Sequence, residues 1–436
     1  MSSLVPSMVS VVAAHPSGSP TAVDLFCGAG GLSEGLRQAG FAVIAAADHD
    51  PDACMTYRLN FPETELIEGD LTAGRNHQAL LEAAAAHGGR IDLLAGGPPC
   101  QAFSQIHNHD RLLEDARNRL YREFIGVLGE LRPKALLVEN VPGMSHLAGG
   151  TVRREIEREL SLGGAYDVVS GVLDAGDFGT PQSRPRLVFL GIESGGLGPR
   201  LPEGTGLTSA LRVAREAGGA IAIDGPSELL AMLADPDDSR AVTAGQALSD
   251  LILPGDAYST DPASAYQRRA QAGSSFPQDH IPSRIREATR RRLEAIPPGG
   301  NVYDLPDELL ARYLDGKRWG PEGNGTTLSR RHYYAYRRLH PDWLAWTANT
   351  KADFAYHYGP ARGLSVREAA RIQGFPDAFH FVTAPPGTPG QLKNGARHSR
   401  YRQVGNAVPP ALARAIGLAI ADMLRAEAGA VAASAA

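Results

Sequence analysis

From residue 21 to residue 191, short apolar runs alternate with stretches of helical spacing, and no other feature narrows the fold as far. Residues 21–26, 42–47, 91–95, 135–139 and 187–191 are the apolar runs. Nearly continuous apolar runs of this length mark strands covered on both faces. Between them, 32–38, 52–60 and 120–130 carry helical spacing. Strands that alternate with helices assemble as βαβ units in a parallel, doubly wound sheet. Ligands of such sheets sit beyond the carboxyl ends of the strands, so the segments that follow each strand are where chemistry is expected.

After residue 191 the alternation stops. Residues 194–330 are rich in Gly, Pro, Ser and Asp, with a basic helix expected at 285–293 and another helix at 307–314. A chain of 436 residues has room for two domains. The division expected is a disordered leader at 1–20, a catalytic domain at 21–194 and an irregular second domain at 195–385. A return of the chain to the first domain follows at 386–425, then a frayed tail at 426–436. Within this, 366–373 is a short helix stopped by Gly374 and Pro376, and 411–425 an apolar helix. No apolar run approaches the roughly 20 residues of a membrane span.

The net charge of −5 speaks against nucleic acid as a partner for the chain as a whole. Its distribution speaks otherwise: residues 265–345 hold 14 Lys and Arg against 9 Asp and Glu. A basic lobe on an acidic body fits DNA, and an Arg-rich solvated surface fits equally. Three cysteines, Cys27, Cys54 and Cys100, make neither a disulfide framework nor a zinc cluster. A reducing, cytoplasmic setting without a metal is expected.

Four stretches carry chemistry. In LAGGPPCQAFS (94–104), a Gly-Gly-Pro-Pro turn ends a strand and presents Cys100 where a thiol reacts, rather than inside an element where cysteines pack. In DLFCGAGGLSEGL (24–36), glycines let the backbone approach a ligand at the start of a helix. Ser33 stands where the dinucleotide fingerprint has its third glycine, and Asp48 ends the next strand, 18 residues after Gly30. With Asp70 in EGDLT, these describe either a nucleoside pocket with little phosphate, as for S-adenosylmethionine, or a tight structural turn. In LLVENVPG (136–143), Glu139 ends a strand at the crevice, as a working acid or as a cap for the turn. In FGTPQSRPRLVFLG (178–191), Arg184 and Arg186 share a face and suit a phosphate or carbonyl oxygen, or an acid partner.

Taken in this order, these stretches closely resemble the cytosine-C5 DNA methyltransferases. The matching pieces are DLFCGAGG, Asp48, GDLT, GGPPCQAFS, ENV, Gln182-x-Arg184-x-Arg186, REAARIQGFPD and QVGNAVPP, spread over residues 21–410. The poor match over 195–330 suits that family's variable target-recognition domain. The resemblance implies an α/β fold: a Rossmann-like S-adenosylmethionine-dependent methyltransferase domain on a doubly wound mixed sheet, with a smaller irregular target-recognition domain. It implies a monomer that methylates C5 of a cytosine flipped out of double-stranded DNA at a short specific sequence, with a separate cognate restriction endonuclease as a partner of such enzymes.

Roles follow by position. The resemblance makes Cys100 the nucleophile at cytosine C6, and Glu139 the group that holds and protonates N3. Arg186, with Arg184, contacts O2 or the backbone near the flipped nucleotide. Phe26, Gly28, Ala29, Gly31, Asp48, His49, Asp70, Leu71, Pro99, Leu120, Asn406 and Ala407 line the cofactor pocket. Residues 101–119 form a loop that closes over DNA. Gln101, Ser104, Gln182 and the arginines Arg330, Arg331 and Arg337 of SRRHYYAYRR contact the DNA. Two departures predict an altered cofactor affinity with the chemistry intact: Asp48 stands where the family often has Glu, and His49 where it often has a larger aromatic ring. An RNA methyltransferase of the same fold and a catalytically silent DNA-binding module are the rival readings. The long insert at 195–358 and the intact Cys100, Glu139 and Arg186 weigh against them, and the missing third glycine weighs against a nicotinamide dehydrogenase.

Overall fold

The computed structural model describes residues 18–99, 118–208, 242–310, 334–391 and 395–435. Its centre is β1 (Thr21–Leu25), flanked in parallel by β2 (Ala42–Asp48) and β4 (Leu93–Gly96). β3 (Glu65–Glu68) extends the sheet beyond β2, and β5 (Ala135–Asn140) beyond β4, both parallel. β7 (Pro185–Glu193) then pairs antiparallel with both β5 and β6 (Tyr166–Asp174). The order is β3-β2-β1-β4-β5-β7-β6. Periodicity alone suggested an all-parallel sheet; the mixed sheet implied by the resemblance is the one observed. β6 escaped the sequence reading because it is a half-exposed edge strand with Ser170 and Gly171 in its middle. Its identity comes from its pairing with β7, from Tyr166↔Glu193 to Asp174↔Pro185. The chain crosses to opposite sides of β1 at β2 and β4, so the crevice opens beyond the carboxyl ends of β1 and β4.

Helices cover the sheet. α1 (Gly31–Gln38), α2 (Pro51–Asn60) and α4 (Arg119–Leu131) stand near their expected places, while α3 (Gly74–Ala85) and α5 (Thr151–Leu160) are additional. α5 buries Val152, Ile156 and Leu160, four residues apart on one face. The second region contributes α6 (Ala244–Leu248), α7 (Ala265–Gln271), α8 (Glu287–Ala295), α9 (Asp307–Leu310), α10 (Val366–Gln373) and α11 (Ala396–Asn406). α10 has the expected bounds, with Ser365 and Glu368 closing a capping box and Gly374 in the left-handed conformation as its stop.

The last helix, α12 (Pro410–Ala435), continues beyond the expected end at residue 425. A side-chain carbon at its Gly417 would stand 2.8 Å from Ala39 Cβ, and one at Gly35 of α1 2.3 Å from Ala413 Cβ. Small residues thus bring α1 and α12 into close contact, with Leu412, Ile416 and Ile420 buried. The stretch His398–Gly429, which covers most of α11 and of α12, is long and apolar enough to cross a membrane, although half of its apolar part is buried inside the protein as in a core helix.

The second region is not packed by itself. Phe375, Phe379 and Phe381 share a cluster with Tyr57 and Phe61 of the first. Arg367 and Arg371 of α10 are fully buried in it.

Candidate active site

The glycine turn after β1 forms the floor of the crevice. Phe26 takes a left-handed backbone (φ 58°), which non-glycine residues adopt only when their surroundings hold them there. Gly28, also left-handed, donates its N–H to Asp48 Oδ2 at 2.8 Å, tying the turn to the end of β2. Asp48 Oδ1 accepts from the Asp50 N–H at 2.8 Å. Burial raises the Asp48 carboxyl above its ordinary range, and these two amides oppose the rise. Gly31 is a glycine for a different reason: a Cβ there would stand 2.3 Å from the Val408 carbonyl oxygen. It packs α1 against the start of α12.

Two adjoining cavities lie above this turn. The larger, of about 610 Å³, is bounded by Gly28, Ala29, Pro99, Glu139, Asn406 and Ala407 among others. The smaller, of about 320 Å³, holds Asp70, Leu71 and Leu120. Phe26, Asp48 and His49 border both. Every expected cofactor residue except Gly31 therefore lines one of the two. His49 is exposed, its Nδ1 3.8 Å from Asp48 Oδ1.

Glu139 is the last residue but one of β5. Arg186, near the start of the antiparallel neighbour β7, places Nε 2.7 Å from Glu139 Oε1. Burial pushes the Glu139 carboxyl up, while the Arg186 and Arg184 guanidinium groups pull it down. The balance lies on the raised side, which leaves a carboxyl able to carry a proton. The next residue, Asn140, donates Nδ2–H to the Pro98 carbonyl at 2.9 Å. That bond pins the Gly-Gly-Pro-Pro turn to β5, on the wall that carries Glu139. Cys100 itself lies outside the described residues, as do Gln101, Ser104, Arg330 and Arg331. The other two cysteines are buried, and burial raises both thiols. Neither is a ready thiolate.

One group that motif reading quoted without assigning a role is Asp24, within β1. It is fully buried, and its Oδ2 accepts from Ser33 Oγ at 2.6 Å. Ser33 Oγ also bonds Tyr57 Oη at 2.8 Å. Asp24 Oδ1 is buried without a hydrogen-bond partner among the described residues, and the residue borders the larger cavity. Burial pushes its carboxyl up to about 7. A carboxylate inside an apolar strand was the signal available in the sequence.

With this geometry in place, comparison with known proteins is decisive. The family described as C-5 cytosine-specific DNA methylase matches residues 21–206 and 257–422. The chain belongs to that family. It is 33% identical to the Type II methyltransferase M.AgeI of Thalassovita gelatinovora, over 90% of this chain and 97% of that protein. It is also 33% identical to the Type II methyltransferase M.XorII of Xanthomonas oryzae pv. oryzae, over 93% of this chain and 85% of that one. Among solved structures, an E. coli prophage-encoded protein shares the fold with a TM-score of 0.62 at 23% identity, covering 93% of this chain and 100% of that chain. The chain is thus a DNA cytosine-5-methyltransferase, and the mixed seven-stranded sheet is the fold of this methylase.

The structure corrects the expectations for four individual residues of the methylase. Gln182 is fully buried; its Nε2 donates to the Ile372 carbonyl at 3.0 Å and its Oε1 accepts from the Ala348 N–H at 2.8 Å. It locks the segment before β7 to α10, with no side-chain exposure toward solvent. Arg337 is buried as well, donating to the Phe354 carbonyl, its guanidinium 5.1 Å from the Tyr334 ring centroid and 4.9 Å from that of Trp346. Its charge is held inside the fold, where phosphates do not reach. Gly31, as above, serves packing rather than the cavity. Arg184, expected beside Arg186 as a catalytic group, donates to the carbonyls of Ala348, Gly405 and Ala407. It holds the turn bearing Asn406 and Ala407 against the cleft. Arg402 of α11 adds an ion pair with Asp50 at 2.7 Å across the same seam.

Proposed function

We propose that the two cavities hold S-adenosylmethionine, and that Cys100, Glu139 and Arg186 act on a cytosine brought beside it. The observation that carries this reading is the Glu139–Arg186 pair, set on one wall with the Asn140–Pro98 bond of the turn that precedes Cys100 in the sequence. The cleft fits the cofactor on its own chemistry. Asp24, with Oδ1 unpartnered among the described residues, borders the larger cavity and when ionised supplies negative charge there, suited to a ligand with an ammonium and a sulfonium. Asp48 offers a carboxylate for ribose hydroxyls, and the glycine turn leaves no side chain in the way. Asp70, in the smaller cavity, suits an exocyclic amine. The group, when bound, supplies an electrophilic methyl on sulfur.

Cytosine C5 is a weak nucleophile, and the residues of this chain make it a stronger one. Cys100 Sγ adds to C6, the C5–C6 π electrons move toward C5 and the ring, and Glu139 gives N3 a proton as charge gathers there. A buried carboxyl with a raised affinity for its proton is suited to that donation. Arg186 sits where it can stabilise the same charge. After methylation at C5, loss of the C5 proton, departure of the thiolate and return of the N3 proton to Glu139 restore the neutral aromatic ring. Stacking shields C6 within a duplex, so the base must first be extruded at a cost of about a few kcal/mol. The Type II names of the relatives support a sequence-specific modification enzyme acting on double-stranded DNA.

The test is expression in a methylation-free bacterial host, followed by bisulfite sequencing. 5-Methylcytosine is expected in one short motif for the wild type and is abolished by Cys100→Ser. A duplex carrying 5-fluorocytosine is expected to trap a covalent adduct with the wild type alone. Unmodified DNA from well-expressed wild type overturns the reading.

A further inference from the structure

We infer that Arg119 competes with the purine ring for Asp70, and thereby sets how sharply this cleft separates 6-amino from 6-oxo purine nucleosides. The inference deepens the proposed cofactor site and rests on the purine occupying the smaller cavity. Two carboxylates border that cavity, Asp48 and Asp70. Asp48 already accepts from the Gly28 and Asp50 amides. Asp70 Oδ1 accepts from the Thr72 N–H at 3.0 Å and from Thr72 Oγ1 at 2.7 Å. Asp70 Oδ2 accepts from Arg119 Nη2 at 2.6 Å. A 6-amino group that donates to Asp70 therefore meets Arg119 on the oxygen that Thr72 leaves open.

Arg119 is the first residue of α4, and its side chain is 60% exposed, so it can swing into solvent. An exposed pair of this kind is weak, so the competition lowers affinity for a 6-amino purine by only about two- to fivefold. For a 6-oxo purine the signs reverse. Its carbonyl is repelled by Asp70 and accepts readily from a guanidinium. One arginine thus weakens the amino ligand and supports the oxo ligand.

The experiment is calorimetric titration of the full chain with S-adenosylhomocysteine and S-inosylhomocysteine, in wild type, Arg119→Ser and Arg119→Lys. Arg119→Ser is expected to bind the adenosyl ligand about two- to fivefold more tightly and the inosyl ligand more weakly, with Arg119→Lys in between. Added salt is expected to shrink the wild-type deficit for the adenosyl ligand, because screening weakens the competing pair. Loss of adenosyl affinity in Arg119→Ser overturns the inference, since Arg119 would then be holding the purine. An equal change for both ligands overturns it too, since that is a purely structural effect. Failure of the folded wild type to bind either ligand overturns the cofactor site itself.

Discussion

Two arginine–carboxylate ion pairs in this molecule, one buried and one at a cavity wall, set the same chemical groups in opposite surroundings. Arg371, in α10, is fully buried between Asp250 and Asp377. Its Nε donates to Asp377 Oδ1 at 2.6 Å, its Nη1 to the Ala247 carbonyl at 2.9 Å, and its Nη2 to Asp250 Oδ2 at 2.9 Å. Tyr258 and Gln271 donate to the same carboxylates. The Arg186–Glu139 pair lies at the cavity wall, each side chain 12–13% exposed, and Arg186 Nη1 turns to its neighbour's carbonyl at Pro185. The first pair is enclosed by the fold and satisfied from every side. The second faces open space, and its carboxyl has a raised affinity for a proton. Saturation makes a strut, and the pair left facing a cavity is the one proposed to do chemistry.

The largest expected effect breaks the second pair without touching the first. Glu139→Gln should cut kcat by about 10²–10⁴-fold, the range of a lost proton donor, while the melting temperature stays close to wild type. A melting temperature that falls with the activity would show Glu139 to be a strut like Arg371. The converse is Arg371→Met, which leaves the buried Asp250 without its arginine and Asp377 with only Arg367, 3.8 Å away. It should cost about 3–5 kcal/mol of stability in denaturant titration. Little loss there, or a selective loss of turnover in folded protein, would erase the contrast.

A smaller, pH-dependent effect concerns Asp24. Its carboxyl is raised in the folded protein to about 7, so the stability it contributes is fully present below the unfolded carboxylate range. That contribution is lost as pH rises through about 7. Compared with Asp24→Asn, the ligand-free wild type should lose melting temperature between pH 5 and about 8. The thermal shift given by S-adenosylmethionine should grow over the same interval, because the cation favours the ionised carboxyl. Equal pH profiles in the two proteins would remove Asp24 from the cofactor site.

Motif order in the sequence pointed to the family and to Cys100, Glu139 and Arg186, because these groups stand at or next to strand ends, beside glycines and prolines that mark those ends locally. The helix at 366–373 was equally legible, its Ser365 cap and Gly374 stop being local signals. Gln182 and Arg337 were misread for one reason: a polar residue in a motif looks the same whether a ligand or a distant backbone carbonyl takes its hydrogen bonds. Gln182 meets residues of α10 some 190 positions away in the chain.

The sequence by itself determined the parts that depend on near neighbours: the alternation of strands and helices, the glycine turn, the helix caps, and the residue types that the chemistry needs. Only the tertiary structure decided which charges are struts and which face the cleft, that β7 enters the sheet antiparallel, and that Asp24 stands buried beside the cavity with one oxygen unpartnered among the described residues. Those outcomes depend on desolvation and on partners far along the chain, and a local pattern of residues carries no record of either.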